Sequence, residues 1–229
     1  MQRFLFVGDS LTQQGFTPEH RGWIGQLSDS FARKADFVVR GFSGYNTAWV
    51  RAHLDMMAAG LWSPGFDVAF VLLGANDSAT GPQYVPLADF KDNLAAIVKF
   101  LQGPRVEATR VVVLGVTPHD ERAACYDAAN PSKRTDDGHR RYCAAAGEVA
   151  AATGCDFVDL HAAVKAALGE RWQTAFHDGL HLAAPGNDAV ANAVRGALAA
   201  ELAFPMALPD WKDLAAKVEA EEAAKAAAA

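Results

Sequence analysis

Short runs dense in Val, Leu and Phe recur along the chain and alternate with stretches of helical periodicity. They are RFLFV (3–7), DFVVR (36–40), DVAFVLL (67–73), RVVVLGV (110–116) and CDFVDL (155–160). This alternation restricts the fold more than any other feature. Parallel strands covered by helices on both faces read as near-continuous apolar runs, whereas a strand with one wet face alternates polar and apolar residues. The pattern therefore predicts an α/β fold with a five-stranded parallel sheet. Helices are expected at 22–34, 47–59, 87–102, 138–153, 161–169 and 186–202, with Pro86 and Pro185 at or just before helix starts. TPHDERAACYDAANPSKRTDDG (117–138) is polar, carries two prolines and reads as a long surface loop.

A chain of 229 residues is long enough for one compact unit with a sizeable core. A single domain over 1–214 is expected, followed by AAKVEAEEAAKAAAA (215–229), an Ala-rich tail that is an exposed helix or disordered. The formal net charge of -6 is modest and unclustered, which argues against nucleic acid or anionic lipid as a partner. Cys125, Cys143 and Cys155 show neither CxxC spacing nor a His pair at zinc-finger distance, so free thiols in a reducing compartment are expected. MQRFLFVG has too short an apolar run for a signal-peptide core, and no run reaches membrane length. Asn76-Asp77-Ser78 is a glycosylation acceptor that secretion would expose to modification. The expectation is a cytoplasmic protein without membrane insertion; its oligomeric state has no sequence signal.

In an open parallel sheet, ligands gather beyond the carboxyl ends of the strands, so the residues after each strand carry the chemistry. After the first comes Gly8-Asp9-Ser10; after the second GFSGYNT, with Gly41 and Gly44; after the third GANDS, with Asn76; and after the fifth strand and a helix HDGLH, with Asp178 and His181. These are the parts of an acyl-transfer site. Ser10 is a nucleophile only if a base removes its proton, and the base needs a third group to hold its tautomer. His181 and Asp178 supply that base and acid. The candidate oxyanion donors are the N–H groups of Ser10 and Gly44 and the side-chain amide of Asn76. Asp9 anchors the turn through backbone hydrogen bonds. His177 and His181 have the i, i+4 spacing of a zinc helix, but Gly179 lies between them and the zincin Glu is absent, so no metal is expected. His20, His53, His119, His139 and His161 read as structural or exposed, and Trp23, Tyr45 and Trp49 as core.

GDSL with Ser10, GFSG with Gly44, GAND with Asn76 and DGLH with Asp178 and His181 resemble the four sequence blocks of the SGNH hydrolase, or GDSL esterase and lipase, superfamily. Within it, RGFSGYNT, LLGANDSA, HDGLHLAAPGN and LPDWKDL are similar to the isoamyl acetate-hydrolysing esterase-like proteins, over about residues 3–214. The resemblance implies a flavodoxin-like three-layer α/β/α sandwich, no metal or organic cofactor, and hydrolysis of a small-molecule ester of the short-chain carboxylic class. By the same resemblance the nucleophile is Ser10, the oxyanion donors Ser10, Gly44 and Asn76, and the acid and base Asp178 and His181. The G-x-S-x-G elbow of ordinary α/β-hydrolases is absent, residues 8–12 being GDSLT.

Alternatives on the same fold are a thioesterase, a lysophospholipase or a sugar O-deacetylase. An alternative of another class is a flavin- or nucleotide-binding module, in which the loop GDSLTQQG cradles a phosphate and DGLH has no task.

Overall fold

The structure is a computed structural model that describes residues 1–61, 63–123, 133–206 and 210–227. Each expected strand is present: β1 (Gln2–Gly8), β2 (Ala35–Gly41), β3 (Phe66–Leu72), β4 (Ala108–Leu114) and β5 (Asp156–Val158). They form one parallel sheet in the order β2-β1-β3-β4-β5. That order reverses between β1 and β3, and the crevice above their carboxyl ends is where such sheets bind ligands.

The helices are α1 (Ser10–Gln13), α2 (Trp23–Ser30), α3 (Thr47–Ala52), α4 (Leu54–Ala59), α5 (Leu87–Gln102), α6 (Asp136–Thr153), α7 (Leu160–Leu168), α8 (Ala184–Ala197), α9 (Ala199–Leu202) and α10 (Trp211–Ala227). With helices on both faces of the sheet, the architecture is a three-layer α/β/α sandwich. On one face Phe6 of β1 stacks with Phe37 and Phe70, Phe4 meets the same rings tilted and edge-on, and Phe31 and Trp23 from the α2 side close over Phe4 and Phe6 at ring separations of 5.0 and 5.6 Å. On the other, α5 packs between α3 and α6. β1, β3 and β4 are buried almost throughout, as covered strands must be.

The expected 22–34 helix stops at Ser30 and the expected 186–202 helix divides at Leu198; at the other boundaries that depart from expectation below, a side chain is responsible. β5 stops at Val158, short of the expected 160, because Asp159 turns to cap α7 by accepting from the Ala162 N–H at 2.8 Å. The Thr135 hydroxyl caps α6 through the Gly138 N–H, so that helix starts earlier than 138. The run expected as one helix over 47–59 breaks at His53, whose ring Nδ1 lies 2.8 Å from the Trp49 carbonyl and so claims the acceptor that the next helical N–H would use. The final helix starts at Trp211 rather than 215, with the Asp210 carboxylate accepting from the Lys212 N–H, and its side chains are almost all exposed. Residues 124–132, including Cys125, lie outside the described residues of the expected 117–138 loop. Among the described residues no helix is long and apolar enough to cross a membrane.

Candidate active site

Ser10 is the first residue of α1, directly beyond the end of β1, and is 5 % exposed. The turn that presents it rests on Asp9, whose Oδ1 accepts from the Leu11 N–H at 2.9 Å and caps α1. The indole of Trp23 then donates to the Leu11 carbonyl at 2.9 Å and ties this short helix to the core. Gly41 allows the end of β2 to run against α1, since a Cβ there would overlap the Gln13 backbone.

The DGLH block arrives from the far end of the chain. A bridge between Phe176 and Leu182 closes a tight turn, and the Asp178 carboxylate fills it: Oδ1 accepts from the N–H groups of Leu180 at 2.9 Å and His181 at 2.7 Å. Its other oxygen, Oδ2, lies 2.6 Å from His181 Nδ1, and His181 Nε2 lies 2.9 Å from Ser10 Oγ. Burial acts to raise the Asp178 carboxyl, but the hydrogen bonds from the His181 ring and from the two backbone N–H groups outweigh it and hold it well below the usual carboxylate range. An ionised Asp178 keeps the proton on Nδ1 and leaves Nε2 as an acceptor for the Ser10 hydroxyl. Asn187 of α8 locks the neighbourhood, accepting from the Trp23 N–H and donating to the carbonyls of His20, Leu182 and Ala183.

A second set of bonds joins the Gly44 and Asn76 blocks. Gly44 has φ +81°, a conformation natural to glycine, and its loop is joined to the Ser10 turn by bonds from Phe42 N–H to Gly8 O and from Ser43 N–H to Gln13 Oε1, both 2.8 Å. Asn76 Nδ2 donates to the Tyr45 carbonyl at 2.8 Å. Gln83 links the two blocks, its Nε2 lying 2.8 Å from Gly44 O and 3.3 Å from Asn76 Oδ1. Arg134 Nη2 donates to Asn76 Oδ1 at 2.7 Å and to Gln83 Oε1 at 3.0 Å. The sequence reading singled out neither Gln83 nor Arg134. Among the described residues, the N–H groups of Ser10 and Gly44 donate to no protein acceptor.

Of the aromatic residues read as core, Trp23 is fully packed, Tyr45 lines an apolar cavity with Phe42, Val50 and Met57, and Trp49 is 40 % exposed. His177 stacks between His20 and His181, with ring centroids 4.4 and 5.9 Å away. Burial, and then the cationic forms of those two rings, lower its pKa despite the nearby Asp178. Ligand atoms of His177, Asp178 and His181 lie within 4.8 Å of one another and could hold a cation. Two of the three are already engaged in hydrogen bonds along the line to Ser10, with which a cation would have to compete.

Two buried carboxyls lie beneath the site. Asp9 is 1 % exposed with Oδ2 unpartnered, and burial pushes its pKa up to about 7, helped by the charge of Asp77 and opposed by the Leu11 N–H. Asp77 accepts from the N–H and hydroxyl of Thr47, and burial still pushes it up to about 6. Because the folded pKa of Asp9 lies above its unfolded value, the stability it lends is complete below pH 4 and is lost as pH rises through about 7. Asp9→Asn keeps an acceptor for Leu11 but cannot ionise. Between pH 5 and pH 8 the variant is expected to gain on the parent by about 1–3 kcal/mol, a relative Tm shift of several degrees. Parallel thermal melts at the two pH values check this, and identical pH slopes would refute it.

A module that cradles phosphate has no use for DGLH, yet His181 of that block is bonded to Ser10. Residues 6–189 match the model of the GDSL-like Lipase/Acylhydrolase family. The isoamyl acetate-hydrolyzing esterase 1 homolog of Bos taurus is 33 % identical over 224 residues, covering 93 % of this chain and 88 % of its own. The isoamyl acetate-hydrolyzing esterase of Saccharomyces cerevisiae is 28 % identical, covering 81 % of each chain. An acetylxylan esterase from Geobacillus stearothermophilus has the same fold, with a TM-score of 0.68 at 18 % identity over 91 % of this chain and 97 % of its own.

Proposed function

The chain belongs to the GDSL-like lipase/acylhydrolase family and is a carboxylic ester hydrolase, and on that premise we propose that it cleaves short-chain, acetate-type esters through an acyl-enzyme on Ser10. The observation that carries the reading is the continuous line from Ser10 Oγ through both nitrogens of His181 to Asp178, at 2.9 and 2.6 Å. Ser10 Oγ attacks the ester carbonyl while His181 Nε2 takes its proton; Asp178 stabilises the imidazolium. The charge that develops on the carbonyl oxygen is met by the N–H groups of Ser10 and Gly44 and by the second N–H of the Asn76 amide, whose first is held by Tyr45. The tetrahedral intermediate collapses as His181 returns the proton to the departing alcohol. Water then enters and attacks the acyl carbon as His181 takes its proton, and the acid leaves as His181 returns that proton to Ser10 Oγ.

Relatives named for isoamyl acetate hydrolysis, those of Bos taurus and Saccharomyces cerevisiae among them, support the short acyl group. Among the described residues, the two thiols support neither a rival nucleophile nor a bridge. Burial, then the nearby Asp159 carboxylate, pushes Cys143 up to about 12, and Cys155 is free. A cytoplasmic setting is part of the same proposal.

Hydrolysis of p-nitrophenyl esters from acetate to dodecanoate, with isoamyl acetate beside them, tests the substrate class. Activity is expected to peak at acetate or butyrate. A maximum at long chains would move the substrate to lipids, and turnover of acetylated xylose alone would move it to sugar O-deacetylation.

A further inference from the structure

We propose that Arg134, together with Gln83, is a positioning residue of the oxyanion site that acts through the Asn76 amide. The inference rests on the reading of Asn76 as an oxyanion donor. An amide offers two N–H groups on one side and two lone pairs on the other, and only one orientation places a donor toward the substrate. At Asn76 the orientation is set from behind. Its Oδ1 accepts from Arg134 Nη2 at 2.7 Å and Gln83 Nε2 at 3.3 Å, while Nδ2 donates to the Tyr45 carbonyl at 2.8 Å. Rotating the amide by 180° would set Oδ1 against the Tyr45 carbonyl and the NH₂ group against a guanidinium, which has five donors and no acceptor. Arg134 has no acceptor to offer the NH₂ group, so it excludes the inactive orientation.

Arg134 is itself held rigidly. It is 5 % exposed, and its Nε donates to the carbonyl of Ala75, the residue before the one it orients, at 2.8 Å. Nη2 also reaches Gln83 Oε1 at 3.0 Å. Gln83 is then fixed from the loop side, since its backbone carbonyl accepts from Asn46 Nδ2 at 2.9 Å and its Nε2 donates to Gly44 O at 2.8 Å. One buried guanidinium thus braces both the Asn76 and Gly44 blocks. A cation hydrogen-bonded to the amide oxygen also polarises the amide, which strengthens its remaining N–H as a donor to a developing negative charge. Burial lowers His119 and His139, and the charge of Arg134 adds to both shifts while opposing the burial-driven rise of Asp9.

The test is a mutant cycle on p-nitrophenyl acetate hydrolysis. Asn76→Ala alone is expected to cost 10²–10³ in kcat. Arg134→Met is expected to lower kcat on the order of 10- to 100-fold with KM changed less than about threefold, and Arg134→Lys to recover part of that loss. In the Asn76→Ala background, Arg134→Met is expected to cost less than about threefold, because its target is gone. Gln83→Leu alters a less buried residue and gives an independent arm: a several-fold loss in kcat that likewise disappears without Asn76. Equal losses in both backgrounds would reduce Arg134 and Gln83 to structural roles and overturn the proposal. So would full kcat in folded Arg134→Met. If Asn76→Ala itself keeps full kcat, the oxyanion reading fails with it, whereas a large Asn76 effect beside a silent Arg134 removes only the positioning claim.

Discussion

Ser10→Ala is expected to lower kcat for p-nitrophenyl acetate by 10⁴–10⁶, the largest effect of any single replacement in this protein. The hydroxyl oxygen is the one atom that forms a bond to the substrate in the proposed mechanism, and Cys143 is no substitute for it. Cys143 is buried and its thiol is held far above working pH. The loss should be confined to chemistry. Asp9 still caps α1 through the Leu11 N–H, Trp23 still holds the Leu11 carbonyl, and the missing hydroxyl removes a single hydrogen bond at the site rim. Tm is therefore expected to move by no more than a few degrees. The residual activity measures what the oxyanion donors achieve without a nucleophile, about 10³-fold over water in comparable sites. A folded variant that retained more than about 1 % of parental kcat would remove Ser10 from the nucleophile role.

The parallel sheet was legible because covered strands need apolar side chains on both faces, and RFLFV, DVAFVLL and RVVVLGV leave no other use for such runs. The residues proposed for the chemistry were legible because Ser10, Gly44 and Asn76 each lie two to four residues beyond a strand end, and every one of them sits in a block with its own turn residues. What escaped the sequence reading has a common cause: single side chains whose partners are brought near only by folding. Arg134 lies 58 residues from Asn76, within a stretch that reads as polar loop, and no local spacing marks it as the donor behind the amide proposed for the oxyanion site. Gln83 sits in an unremarkable turn. The break at His53 is likewise invisible to periodicity, since a ring nitrogen replaced a backbone donor at one carbonyl. Asp9 was expected as an anchor of the turn, but its buried, unpartnered Oδ2 and raised pKa depend on what covers it in three dimensions.

Asp178→Asn is expected to lower kcat by about 10⁴ while leaving the fold and KM nearly unchanged. The structure makes this replacement more decisive than a simple loss of charge. Asp178 Oδ1 accepts from two backbone N–H groups, those of Leu180 and His181, so the amide oxygen of an asparagine must occupy that position. Its NH₂ group is then forced to the place of Oδ2, 2.6 Å from His181 Nδ1 in the parent. A donor at that point requires Nδ1 to accept, which shifts the ring proton to Nε2. With a hydrogen on Nε2, His181 points a donor at Ser10 Oγ and cannot take its proton. The same two backbone bonds that hold the carboxylate ionised in the parent would thus hold the variant in the wrong tautomer. The ring ¹⁵N shifts of His181 report this directly: the proton should reside on Nδ1 in the parent and on Nε2 in the variant. A tautomer switch accompanied by less than a tenfold fall in kcat would separate Asp178 from the proton transfer and leave it only the task of closing the turn.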